Sequence, residues 1–158
     1  MAKKKCARCG ERDGVLKAIT FTVVNGEVVC QFCVAKAARA DDAATAARVI
    51  LTTTNSVDGS EVTQYLGIES AETVLGSGLL SEMKAGLSDA FGTRSGAFEA
   101  KLAKARESAM LRLKVKAGKL GGNAVIGVDV DYVEFAANMM GVVVTGTVVK
   151  IEPLAIEI

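Results

Sequence analysis

Histidine and tryptophan are absent from this 158-residue chain, proline occurs once, and five phenylalanines and two tyrosines are its only aromatic side chains. Without histidine there is no imidazole to serve as a general base, a nucleophile relay or a switch near neutral pH. Metal sites built on imidazole ligands are excluded by the same absence. Half of the residues are hydrophobic, yet no run approaches the roughly 18 consecutive apolar residues that a spanning helix needs. No membrane span is expected. The basic start, MAKKKC, is not followed by an apolar stretch, so a secretory signal is not expected and a cytoplasmic, reducing location is.

Charge of either sign is not in excess overall, since 19 Lys/Arg face 18 Asp/Glu. The distribution is uneven: residues 1–48 hold nine basic and five acidic side chains (+4), leaving ten and thirteen (−3) for residues 49–158. Neither part carries the large basic field of a strong nucleic-acid binder, so nucleic acid is a disfavoured partner.

All four cysteines fall in one short segment with the pattern Cys6-x2-Cys9-x20-Cys30-x2-Cys33. Two CxxC pairs at this separation read as a paired-knuckle metal site, because each pair can turn back and present two sulfurs to one ion. Gly10 suits the tight turn after Cys9. Between the pairs, AITFTVV and EVVC flank Asn25-Gly26, the strongest short signal for a hairpin with a type I′ turn. The alanine-rich run after Cys33 is free of Gly and Pro and predicts a helix. Knuckle, hairpin, knuckle and helix together describe a zinc-ribbon or treble-clef-like module over residues 1–48. With Phe21 and Phe32 as its only aromatics, such a module cannot order itself on apolar burial alone. One structural Zn²⁺ per chain, held by Cys6, Cys9, Cys30 and Cys33, is the expected staple. Iron in a rubredoxin-like site and a redox CxxC pair are the competing readings. Redox motifs are seldom doubled and joined by a hairpin. Four sulfurs also fill a tetrahedral shell, leaving no open position for metal catalysis.

From Val49 onward the pattern predicts strand, strand, helix, helix, strand, strand. VILTTT and EVTQYLGIESAETVLG alternate in the manner of strands, with Asp58-Gly59 in the loop between them. Leu80, Met83, Leu87 and Phe91 recur at helical spacing. Phe98, Leu102, Ala105, Ala109, Leu113, Ala117 and Leu120 form the core-facing stripe of a longer helix that Gly121-Gly122 should end. NAVIGVDVDYVEF and GVVVTGTVVKI predict the last two strands, separated by a turn near Ala137–Gly141, with Pro153 beyond them. The fold class expected for residues 49–158 is α+β, a ββααββ domain with helices packed on a mainly antiparallel sheet.

TTTNSVDGSEVTQYLGI, GLSDAFGTRSGAFEAKLAKARESA, GGNAVIGVDVDY and VVVTGTVVKIE together resemble the YbjQ-like family of bacterial proteins, which carry a heavy-metal-binding label. The resemblance covers roughly residues 50–152. It implies an α+β subunit that assembles into a homo-oligomeric ring, a pentamer, and it implies no reaction. The cysteine segment lies outside it, so the chain looks like a fusion of two modules.

The label meets a chemical difficulty, because soft metals prefer thiolate, thioether or imidazole ligands and residues 49–158 contain no cysteine or histidine. Asp129 and Asp131, two apart on a strand and so on one face, are candidates for a hard cation, with a solvated or interface face as the favoured alternative. Met139 and Met140 are more economically read as packing than as a Cu⁺ site. The loop Gly92-Thr93-Arg94-Ser95-Gly96 opens a helix and offers N–H groups plus a guanidinium to an anion, but a capped turn is the favoured reading, since neither the length nor the lysine of a P-loop is present. Lys101, Lys104, Arg112, Lys116 and Lys119 share one flank of the long helix, where a solvated face is favoured over phosphate contact, and Leu111 and Val115 on the outer side suggest a subunit contact. No catalytic residue can be assigned, and the expectation is that the protein is not an enzyme.

Overall fold

The computed structural model describes residues 4–12, 18–76, 96–135 and 139–154. The chain divides into two compact units, Met1–Ala44 and Thr45–Ile158.

In the first unit, β1 (Phe21–Val24) and β2 (Glu27–Cys30) form the hairpin that Asn25-Gly26 called for, with Val24 opposite Glu27 and Phe21 opposite Cys30. Both turn residues have positive φ, 51° and 82°, the pair of left-handed conformations that a type I′ turn requires. Helix α1 (Gln31–Ala47) begins directly after Cys30 and reaches the start of the second unit. Among the described residues, Cys6, Ile19, Val29 and Cys30 form the buried cluster, with Phe21, Val24, Cys33 and Val34 packed on it. Two aliphatic side chains contribute about 1.5–3 kcal/mol each when fully buried, whereas ordering each residue's backbone costs about 1–2 kcal/mol. The burial seen among the described residues of this unit is small beside that cost.

Among its described residues, the second unit is a four-stranded sheet in the order β3-β5-β6-β4 with one long helix packed on it. Its elements are β3 (Ile50–Leu51), β4 (Ser60–Leu75), α2 (Gly96–Lys119), β5 (Ala124–Phe135) and β6 (Met139–Pro153). Strands β4, β6 and β5 are antiparallel neighbours, and β3 runs parallel to β5. The α+β class with a mainly antiparallel sheet is thus the architecture seen. The expected helix around Leu80–Phe91 lies outside the described residues.

Helix α2 packs as its periodicity predicts through Ala105, Ala109, Leu113 and Ala117, all buried against Val125, Val142, Val144 and Val148, while Leu102 is half-buried. Small alanines bring the helix backbone close to the valine-rich sheet, and Leu113 is the largest side chain sealed between them. Leu120 departs from the expected stripe and is 48% exposed. The helix has ended at Lys119, and a closing turn in which Gly122 N–H donates to the Ala117 carbonyl swings Leu120 off the core face. The Phe98 side chain lies outside the described residues. Behind the sheet, Ala124, Ile126, Val149 and Ile151 form a smaller cluster with Val57 and Val62. Asn123 fastens that side by donating to the Ile151 carbonyl (2.8 Å) and accepting from the Ile151 N–H (2.7 Å).

Three strand boundaries differ from the sequence expectation. The VILTTT strand is regular for only two residues: Thr52 N–H still donates to the Val125 carbonyl (3.0 Å) and the Thr52 and Thr54 carbonyls accept from Val128 and Gly127 (2.9 Å each), but the Thr52 and Thr54 hydroxyls lie 2.6 Å apart and Thr54 Oγ1 donates to the Ser56 carbonyl (2.6 Å), turning the chain locally. Such side-chain to backbone bonds compete with a ladder, and β5 is itself irregular between Ile126 and Asp129. Strand β6 begins at Met139, inside the expected Ala137–Gly141 turn, with Met139 opposite Phe135. It ends on Pro153 rather than before it, opposite Ser60, a strand-end position where the missing N–H costs no central ladder bond.

Candidate metal centre

The first knuckle is a tight reversal. Cys6 N–H donates to the Glu11 carbonyl (2.9 Å), Gly10 N–H returns to the Cys6 carbonyl (3.0 Å), and an antiparallel bridge joins Lys5 to Arg12. Gly10 adopts φ 75°, a conformation that a side chain would resist. Ala7 N–H donates to the Val28 carbonyl (2.8 Å), which ties the knuckle to β2. The second knuckle forms where β2 passes into α1: Cys30 closes the strand and Cys33 sits in the first helical turn.

Hairpin and knuckle bonds bring all four Sγ atoms within 4.8 Å of one another, and none of the cysteines is in a disulfide. Cys9 and Cys30 sulfurs are 3.6 Å apart. Zn–S bonds of about 2.3 Å directed to the corners of a tetrahedron place sulfurs about 3.8 Å apart, so the spacing fits an ion of that size. Among the described residues this is the one group of three or more Cys, Asp or Glu side chains close enough to hold a metal ion. Cys6 and Cys30 are buried, Cys33 is half-buried and Cys9 is exposed.

The electrostatics of the cluster also favour a cation. The backbone N–H of Cys30 donates to Cys6 Sγ at 3.3 Å, and this bond, ahead of backbone contacts from Cys9 and Arg8, lowers the Cys6 thiol to about 6. Cys33 is pushed up to about 12, first by the Cys9 side chain, then by burial and by Cys30 and Cys6. One thiolate is welcome and a full set is not, until a divalent ion supplies opposite charge. The two shifts act in opposite senses on the metal-free unit. Cys6, depressed, adds stability above the ordinary thiol range near pH 8.5 and loses it as pH falls through about 6; Cys33, raised, adds stability below that range and loses it as pH climbs through about 12. Whatever order the chelated unit keeps is expected to peak near pH 8.5 and to decline on both sides, followed by amide exchange of Val29 and Cys30. A monotonic profile would contradict the assignment.

The other sequence candidates fare differently. Asp129 and Asp131 are both exposed, opposite Thr145 and Val143 of β6, and no third ligand joins them among the described residues. Met139 and Met140 lie in the β6 ladder opposite Phe135 and Glu134. Gly92–Ser95, including Arg94, lie outside the described residues, and Gly96 opens α2. The basic flank of α2 is not simply solvated. Arg112 Nη1 donates to the Glu72 carbonyl (3.0 Å) and Lys116 Nζ to the Ser70 carbonyl (2.6 Å), with Glu69 3.7 Å from Lys116. Both bonds end on β4, an outer strand of the sheet, where free carbonyls invite strand addition and a basic cap discourages it. Sequence reasoning missed this role, because the partner groups are backbone atoms with no sequence signature. Leu111 is 51% exposed, and Val115 is half-buried.

Residues 49–152 match the family profile described as "Putative heavy-metal-binding" and designated YbjQ. A UPF0145 protein of Geobacillus thermodenitrificans is 47% identical over 104 residues, which make up 66% of this chain and all of that protein. One from Anoxybacillus flavithermus is 44% identical over 104 residues, 66% of this chain and 99% of its own. Among solved structures, a protein of unknown function from Pediococcus pentosaceus, assigned to the DUF74 family, covers 66% of this chain and 98% of its own at 20% identity and a TM-score of 0.44. The profile match begins at residue 49, after the last of the four cysteines.

Proposed function

The chain belongs to the YbjQ family through residues 49–152, and on that footing we propose that it is a non-catalytic metal-binding protein in which a structural zinc module is fused to a ring-forming scaffold. The convergence of the four sulfurs within 4.8 Å carries this reading. Cys6, Cys9, Cys30 and Cys33 would hold one Zn²⁺ in an all-thiolate shell, the set suited to that ion in a structural role. A filled shell has no site for substrate, and the chain has no histidine to act as base, which supports a binding role over an enzymatic one.

The ring, a pentamer by family resemblance, gives the fusion a physical rationale. Several copies of a weakly binding module on one assembly gain avidity for a repeated target without any new contact. A partner protein is the favoured target, nucleic acid is disfavoured by the small net charge, and the all-thiol tetrad suits a reducing cytoplasm. No helix among the described residues is long and apolar enough to cross a membrane. The exposure of Cys9 favours one second reading, metal handling, in which the ion enters and leaves through the open side of the tetrad.

Elemental analysis and light scattering on a single preparation test both halves. One zinc per chain, retained through dialysis, on a particle several times the 16.4 kDa chain mass is the expected result. Metal content that tracks supply or exceeds one per chain would replace the structural reading with metal handling. A metal-free preparation, or a monomer, would remove the corresponding half of the proposal.

A further inference from the structure

The tetrad is not symmetric with respect to solvent. Cys6 and Cys30 are buried, Cys33 is half-buried, and Cys9 alone among the four is exposed. Its sulfur is also the one placed 3.6 Å from the buried Cys30 sulfur, across the two knuckles. A disulfide needs sulfurs about 2.05 Å apart, so this pair requires an approach of about 1.5 Å. The two members belong to different chain segments, the Cys6–Gly10 turn and the end of β2, which the Ala7 to Val28 backbone bond already holds together.

From this geometry we infer that Cys9 is an oxidation site for small hydroperoxides, and that Cys30 resolves it to a Cys9–Cys30 disulfide that expels the metal. The inference rests on the metal-binding reading only for the expulsion; Cys9 is chosen for its exposure and Cys30 for its sulfur 3.6 Å away on a strand that the Ala7–Val28 bond ties to the Cys9 knuckle, so a first Cys9–Cys33 bridge would also overturn it. The Cys9 thiolate attacks one oxygen of hydrogen peroxide, the O–O bond breaks, and hydroxide leaves and takes up a proton to form water. Cys9 is then a sulfenic acid. The Cys30 thiolate attacks the Cys9 sulfur, forming S–S and displacing a second hydroxide, which is also protonated to water. Two thiolates have given up two electrons and peroxide has accepted them. An ion held by the tetrad would be left with Cys6 and Cys33 as its only thiolate ligands and would be released. The module loses its ion yet stays cross-linked at the hairpin base, poised to reload once a thiol reductant reopens the bond.

The test uses the full chain as purified, with its metal content measured beforehand, treated with hydrogen peroxide. Loss of two thiols per chain, a Cys9–Cys30 peptide linkage by mass mapping, and release of the measured metal to a chromogenic chelator in one-to-one proportion are expected, all reversed by dithiothreitol and added zinc. A first disulfide within a knuckle, Cys6–Cys9 or Cys30–Cys33, overturns the inference, as does peroxide that leaves all four thiols intact. If the protein holds no metal at the outset, the zinc reading fails, while the mapped linkage still decides which sulfurs react. On the unmodified chain, brief peroxide treatment in the presence of dimedone should label Cys9 first, and first labelling of Cys6, Cys30 or Cys33 would overturn the role given to Cys9.

Discussion

Cys30→Ser is expected to strip the N-terminal unit of its metal and its order together, while the melting of the second unit is unchanged. Cys30 is fully buried, ends β2, donates its N–H to Cys6 Sγ and lies 3.6 Å from Cys9 Sγ. Serine keeps the backbone bond but replaces a thiolate with a hydroxyl that is a poor ligand for a soft ion. Metal binding contributes about 10–16 kcal/mol in structural zinc peptides, and the small cluster around Ile19 and Val29 cannot replace it. Hydrogen exchange or NMR dispersion of residues 18–44 should collapse in the variant, and in the parent protein treated with a strong chelator. A variant whose β1–β2 amides remain protected would show that the hairpin stands without the ion, and the metal-dependent account of this unit would fall.

Leu113→Ala is expected to be the most damaging single truncation in the second unit, costing about 2–5 kcal/mol through lost burial and the cavity left behind. The site has little means of collapse, because its neighbours along the helix are already alanines and the facing valines belong to the inner strands β5 and β6. For a unit of this size the melting temperature should fall by on the order of 10–20 °C. Two residues away on the same helix, Leu111 is half in solvent, and Leu111→Ala should change the monomer's stability by about 0.5 kcal/mol or less. Thermal melts of the two variants side by side provide the check. Comparable losses would mean that Leu111 is buried in the working assembly, which would itself locate a subunit contact.

These expectations reflect which features the sequence made legible. The convergence of the four sulfurs could be read because each CxxC pair is local and Asn25-Gly26 fixes how the two segments meet. The α2 stripe could be read because Ala105, Ala109, Leu113 and Ala117 repeat at a helix's own period. Leu120 continued that period on paper, but the closing turn is set by a backbone bond to Ala117 that spacing does not reveal. The strand order was not legible at all. Nothing in Ile50-Leu51 marks it as the parallel neighbour of Ala124-Val125, since nonlocal pairing is decided by burial across the whole sheet. The unequal burial of the four cysteines was equally hidden, being a product of how Ile19 and Val29 pack beneath two of them.

The position of β6 has a consequence for how the protein is made. It follows every other described strand in the chain, yet it lies between β4 and β5, so the sheet has no middle until Pro153 has cleared the ribosome. Until then β4 and β5 are synthesised without the neighbour they share, a state in which exposed strands are prone to wrong associations. The four cysteines and the hairpin between them lie within the unit that ends at Ala44, so on the proposed reading an ion could be taken up while the rest is still emerging.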